Sequence, residues 1–269
     1  LTQVRPGHAD LQLDQMTGNF LRLRCDGFTV KWERHSEFTR YSIVQALPEH
    51  AGWGATCPEL ASQVVTGSEW LRSIPGKTVA AIHLGMLKTD LPAADLSVLA
   101  RAWLGDGAVV GSRMGNTTEG LPHSCVLTHF RLGDDGFERM LVLAPENTSE
   151  ARAGRISQRL LELETYRLMA LRGLPVAKAL SPVLSEAEAQ LADITARLER
   201  KGDSDQALLD VLVSLAARIE RATAEHGYRF SATRAYDALV GQRIAELRAK
   251  GLLRESAKRE ADRAAAAGA

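Results

Sequence analysis

The apolar residues of this chain change their period once. From Asn19 to about Leu143 they mostly alternate, with β-branched and aromatic enrichment between Gly and Pro punctuation; beyond Pro145 they recur every third or fourth position. Alternation lines one face of a strand, and the longer period lines one stripe of a helix. A chain that spends its strands first and its helices afterwards is not a run of βα units, so a doubly wound parallel sheet is not expected. The expected class is α+β, with a mostly antiparallel sheet domain over 1–146 and a stalk-like antiparallel helical hairpin or bundle over 147–269.

Within the first half, Phe20 to Arg24, Thr29 to Glu37 and Tyr41 to Gln45 read as successive strands of a meander, with Asp26-Gly27 turning the first hairpin. Thr78 to Met86 reads as a further strand and Ala93 to Trp103 as an amphipathic helix opening after Pro92. Ala108 to Ser112, Ser124 to Arg131 and Phe137 to Leu143 read as three more strands, the last pair joined by Gly133-Asp134-Asp135-Gly136.

In the second half, Ser149 is placed to cap a helix running to about Leu174. Pro175 and Pro182 are expected to break the chain before a second helix opened by the capping box Ser185-Glu186-Ala187-Glu188, with Leu191, Ile194 and Leu198 on one stripe. Gly202-Asp203 turns the chain. Ser204 then opens a third helix with Leu208, Leu212, Leu215 and Ile219 at coiled-coil spacing, and a fourth after Gly227 carries Tyr236, Val240, Ile244 and Leu247, so that the two form an antiparallel hairpin.

Charge narrows the partners. The 33 Lys and Arg equal the 33 Asp and Glu in number, for a formal net charge of +0, so there is no global basic field for nucleic acid. Cys25, Cys57 and Cys125 are an odd, widely spaced set without a C-x-x-C pair, which fits reduced thiols. Gly105-Asp106-Gly107-Ala108-Val109-Val110 begins like a dinucleotide fingerprint but has Val110 where the third glycine belongs, so no nucleotide cofactor is expected. No run reaches the roughly 18 to 20 apolar residues of a membrane span. A start at Leu1 and an end in Ala264 to Ala269 are what a piece of a longer protein would show.

Two polar constellations stand out. Alternation along the Val30 to Phe38 segment puts Glu33, His35 and Glu37 on one face opposite Trp32 and Arg34; an imidazole between carboxylates is a candidate acid–base group or divalent-metal site, and the alternative is a solvated strand face or an ion-pair network at a domain interface. On the Ser149 helix, Glu164 and Arg167 fall within the apolar stripe of Ile156, Leu160, Leu163, Leu171 and Leu174, where unpaired charges are costly. They are expected to bond each other at i,i+3 or to reach Glu33 or Glu37, making a buried junction between the halves. Arg159, Glu162 and Tyr166 lie on the other side of that helix and read as a solvated ladder or a subunit contact. His83, His123 and His129 lie in or beside strands and would join a metal cluster only if the sheet gathers them at His35. No nucleophile has an evident base.

Trp32-Glu33-Arg34-His35-Ser36-Glu37-Phe38, Thr128-His129-Phe130-Arg131-Leu132 with Asp135-Gly136-Phe137, Gly154 to Pro175, and Ala235-Tyr236-Asp237-Ala238-Leu239-Val240 occur in that order. On these residues the chain resembles the bacterial family known as domain of unknown function 3422, described as predicted membrane-anchored proteins. The resemblance implies a cytoplasmic amino-terminal region, a helical stalk and a tether to the inner membrane through a segment absent here. The expected function is then a non-enzymatic, membrane-tethered, homo-oligomeric protein sensing or scaffolding at the cytoplasmic face. The alternative is a metal-assisted enzyme or small-ligand binder using Glu33, His35 and Glu37, with Trp32, Arg34, His129, Arg131, Glu164 and Arg167 as binding or junction residues.

Overall fold

A computed structural model describes residues 12–25, 27–47, 73–89, 96–105, 108–114, 124–199 and 205–248. Asp26, Pro92, Ala93, Asp106, Gly107, His123, Gly202, Asp203 and Ser204, on which expectations rested, lie outside them. The architecture is α+β. The chain divides into two compact units, one reaching Ala153 and the other spanning Gly154–Lys250.

The first sheet is a four-stranded antiparallel meander of β1 (Gln12–Thr17), β2 (Phe20–Cys25), β3 (Phe28–Arg34) and β4 (Thr39–Gln45), in that spatial order. Its registers place Leu21 opposite Trp32 and Trp32 opposite Tyr41, and Leu23 opposite Val30 and Val30 opposite Ile43, so the apolar residues share one face. Leu23 and Phe28 are its buried members. Gly27 turns the β2–β3 hairpin with φ +76°, where a side chain would be strained. Strand β1 was not expected: a register shift between Leu13 and Gln15 interrupts the alternation that would have announced it.

The second sheet is mixed, in the order β5-β8-β7-β6, from β5 (Ile82–Lys88), β6 (Val110–Met114), β7 (Ser124–Leu132) and β8 (Glu138–Ala144). Only β5 and β8 are parallel, because the chain leaves the sheet after β5 and returns through β6 and β7 before β8 closes beside it. Strand β8 is central, and Met140 to Ala144 are all buried, the continuous apolar run of a strand covered on both faces. Helix α1 (Leu96–Leu104) packs Leu99, Ala100, Trp103 and Leu104 against Leu127, Leu141 and Leu143. The Trp103 ring lies where a Cβ on Gly85 would be, 2.7 Å from its nearest carbon, so the close approach of helix to sheet requires the glycine.

Helix α2 (Glu150–Leu171) starts where expected, with the Ser149 hydroxyl accepting the Arg152 N–H at 3.3 Å. It stops one turn before Pro175, whose ring excludes the carbonyl four residues earlier. Helix α3 (Gly173–Glu199) resumes at once, with Pro175 in its first turn, where no N–H bond is lost. Pro182 does not break it, contrary to expectation. The residues on its C-terminal side, Ala187 and Ile194, are buried, and that packing offsets the roughly 3 kcal/mol cost of an interior proline.

The larger correction concerns α4, which runs unbroken from Asp205 to Arg248, 44 residues and so about 66 Å long. The expected third and fourth helices are one, and they form no hairpin with each other. Gly227 inside it costs only about 1 kcal/mol relative to alanine, too little to end a helix that packs on both sides of it. Its partner is the α2–α3 run. Arg218 bonds Glu186 and Gln190, Thr233 bonds the Ala170 carbonyl, Arg243 pairs with Glu162 and Glu246 with Arg159. Partner numbers fall as α4 numbers rise, so α2 and α3 lie end to end, antiparallel to α4. The helices come close at Gly173, where a Cβ would sit 2.4 Å from the Thr233 hydroxyl.

Candidate functional site

The row of Glu33, His35 and Glu37 does not form a strand face, because β3 ends at Arg34 and the chain turns back through His35 to Phe38, the His35 N–H bonding the Phe38 carbonyl at 2.9 Å. Glu33 stays on the polar face of the meander and accepts from Arg40, directly across the strands, at 3.3 Å. His35 is exposed and stacks on Phe38 with ring centroids 4.4 Å apart. Glu37 sits in the turn. Trp32 belongs to the apolar face, and Arg34, exposed, donates its backbone N–H to the Asn19 carbonyl. Among the described residues no three His, Cys, Asp or Glu are grouped so as to hold a metal ion, so these three do not converge as ligands.

A second polar group, which sequence reasoning did not assemble, lies at the turn end of the β7–β8 hairpin. The register jumps between Thr128 and Leu132, leaving a bulge in which Phe130 adopts φ +50°, unusual for a residue with a Cβ. Thr128 organises it. Its buried hydroxyl lies 3.2 Å from Glu138 Oε1 and 3.1 Å from the Arg139 carbonyl, and it accepts the Phe130 N–H at 3.2 Å. His129 Nδ1 accepts the exposed Arg131's N–H at 3.1 Å.

Beside the bulge, Asp135 binds Arg139 at 2.8 Å and faces His83 Nε2 at 4.0 Å, while the His83 ring packs on Phe137 with centroids 4.1 Å apart. Burial, helped by Arg139, lowers the His83 pKa below its ordinary 6.5 despite the opposing pull of Asp135. Burial, then Arg131 and Arg139, lower that of His129 in the same direction. Both imidazoles are therefore mainly neutral at pH 7. The signal in the sequence was Asp135-Gly136-Phe137. What it lacked was the partner strand β5, which brings His83 opposite Arg139 across a parallel pairing that sequence separation conceals.

The third group is in the helical unit. Glu164 is almost wholly buried and is clasped by Nε and Nη2 of Arg167 at i,i+3, as its place in the apolar stripe required. Glu162, expected on a solvated face, is buried instead. It accepts from Arg243 at 2.8 Å and from Gln158 at 2.9 Å, and Arg243 also reaches Glu246 at 2.9 Å. Arg159 pairs with Glu246 at 3.5 Å, and Tyr166 stacks on Tyr236 at 6.0 Å. The face that read as solvated is the one that meets α4. Burial opposes the Arg243 charge, but Glu162, with Glu246 and Tyr166, outweighs it and raises the pKa. Arg243 is thus fixed as a cation, the reverse of a group poised to trade protons.

A family model described as protein of unknown function (DUF3422) matches residues 6–254. The chain belongs to that family. All three polar groups lie within the matched span, as do both sheets and α1 to α4. No curated protein and no solved structure matches the chain. No helix among the described residues is long and apolar enough to cross a membrane.

Proposed function

We propose that this family member is a non-enzymatic, self-associating scaffold, tethered at the cytoplasmic face of a bacterial inner membrane through a segment other than the described helices. The observation that carries this reading is the antiparallel pairing of α2 and α3 with the full length of α4, in which the buried carboxylates Glu162 and Glu164 are matched by Arg243 and Arg167 of the same unit. Charges paired this way hold helices in place and are not free to move protons or polarise a substrate. A 66 Å helix, by its rise per residue, suits a long spacer.

A second reading is favoured by one observation. His83, half-buried and with its pKa lowered, stands beside Asp135 with no hydrogen-bond partner on its buried Nε2, so a small-ligand or acid–base role belongs to that group before the Glu33, His35 and Glu37 set. Native mass spectrometry of the purified chain separates the two. A multimer of bare chains is expected for the scaffold. A discrete retained mass that disappears in His83→Phe would replace it with the ligand-binding reading, and recovery of the complete cellular protein in the soluble fraction would remove the tether.

A further inference from the structure

The far end of the helical unit has two unlike sides. On α3 the buried positions Ala187 and Ile194 face α4, and on α4 the buried positions Leu208 and Leu215 face α3. Leu184, Leu191 and Leu198 recur at intervals of seven, three before or four after those α3 positions. Leu212 and Ile219 each follow a buried α4 position by four. Such offsets rotate a side chain by roughly 40–60° from the seam. Because the helices run antiparallel, the same sense of offset on each brings both stripes to one side of the pair. The opposite side is mixed: Val183 and Val211 stand there among polar groups, with Arg218 bridging Glu186 and Gln190, and Arg197 pairing with Asp193.

These five residues and Leu209 are between 37% and 53% exposed. Six half-exposed aliphatic side chains in one patch exceed the scattered apolar residues of an ordinary surface. Around them stand Ala192, Thr195 and Ala216, and the charges that border the patch, Glu188 and Glu220, are both acidic.

We propose that this side of the α3–α4 pair is where a second copy of the chain docks, building a four-helix layer from two hairpins. The proposal rests on the scaffold reading and names its interface. Three features select this occupant. A strict seven-residue repeat continued by a three-four spacing is the pattern that another helix imposes. A patch shared by two antiparallel helices is self-complementary about a two-fold axis, each α3 stripe meeting the α4 stripe of the other copy. Acidic borders disfavour an anionic lipid surface, which attracts basic amphipathic helices, and place a like-charge cost on the dimer that keeps it weak.

Size sets the strength. From Leu184 to Leu198 the patch is about 21 Å long, and two helices side by side span about 20 Å. Two such footprints come to about 840 Å² in outline, below the roughly 1,200 Å² at which stable specific interfaces begin, so weak association, no tighter than about micromolar, is expected.

Sedimentation velocity and native mass spectrometry across a concentration series test this on the intact chain. The variants are Leu191→Glu with Leu212→Glu, the neutral pair Leu191→Gln with Leu212→Gln in case acidic side chains disturb folding, and Leu132→Glu, a still more exposed apolar site on β7, as control. Wild type and Leu132→Glu should form dimers or multiples of dimers, and both face variants should weaken association by at least about 100-fold with helical circular dichroism unchanged. Face variants that associate like wild type would overturn this interface while leaving a self-associating scaffold intact. A wild type that stays monomeric throughout would overturn both.

Discussion

Glu33 on the meander and Glu162 on α2 are each a glutamate bound to an arginine, and they behave differently. Glu33 takes Arg40 from the adjoining strand, seven residues away, at 3.3 Å, and its side chain keeps 29% of its exposure. Glu162 takes Arg243 from 81 residues away at 2.8 Å and keeps 10%. A local partner with water at hand contributes little, because water would solvate either charge nearly as well. A carboxylate already withdrawn from water must have a partner, and for Glu162 the charged one comes from across the helix interface. How polar a segment looks therefore says less about its importance than where its partner comes from.

The sharpest way to break this contrast is Arg243→Ala, which leaves Glu162 with Gln158 alone. It should cost about 3–5 kcal/mol in urea unfolding followed by helical circular dichroism. Glu162→Leu combined with Arg243→Leu should recover most of that loss, since two apolar groups need no partners. A single-variant loss under about 1 kcal/mol would put Glu162 in the same class as Glu33.

Next in size is Gly173→Ala, whose new methyl meets the Thr233 hydroxyl. A cost of about 1–3 kcal/mol is expected, with partial relief when Thr233→Ala is added. Equal costs in both backgrounds would show that the helices yield at this point.

His83 gives a smaller effect with a defined sign. Its folded pKa is lowered by burial, so below about 6.5 the unfolded chain binds a proton that the folded chain refuses, and stability falls as the pH drops from 7 toward 5. His83→Phe keeps the packing on Phe137 and should flatten part of that fall, in thermal midpoints read at half-unit steps of pH. An unchanged profile would assign the slope to other groups.

Least affected should be Glu33→Ala, within about 0.5 kcal/mol of wild type, and a loss near that of Arg243→Ala would erase the contrast from the other side.

The same logic explains what the sequence disclosed. Alternation found β2 and β4, while β7 and β8 showed as apolar β-rich runs on either side of the Gly133 to Gly136 turn; β1 was missed because the bulge interrupts the period. It also carried the Thr29 strand through Glu37, since residues of a turn can alternate by chance in type without alternating in space. The i,i+3 pair of Glu164 and Arg167 was legible because both members sit on one helix. Glu162 was not, because its arginine lies on another. The continuity of α4 was written in the chain as Leu208, Leu215, Ala222, Arg229, Tyr236 and Arg243, an unbroken interval of seven through Gly227. Two of those six positions are arginines, which hid the repeat from a search for apolar residues.

The contacts along α4, from Arg218 to Glu246, are spread over about 42 Å of helix. They are also chemically unlike one another: a guanidinium on two polar side chains, a hydroxyl against a glycine, a stacked pair of tyrosines, and an arginine on a buried carboxylate. Because each fits only its own counterpart, moving one helix by a single turn would misalign all of them at once. Any signal conveyed through this pair must therefore travel as tilt or bodily displacement, or as parting of the helices, and not by one helix sliding along the other.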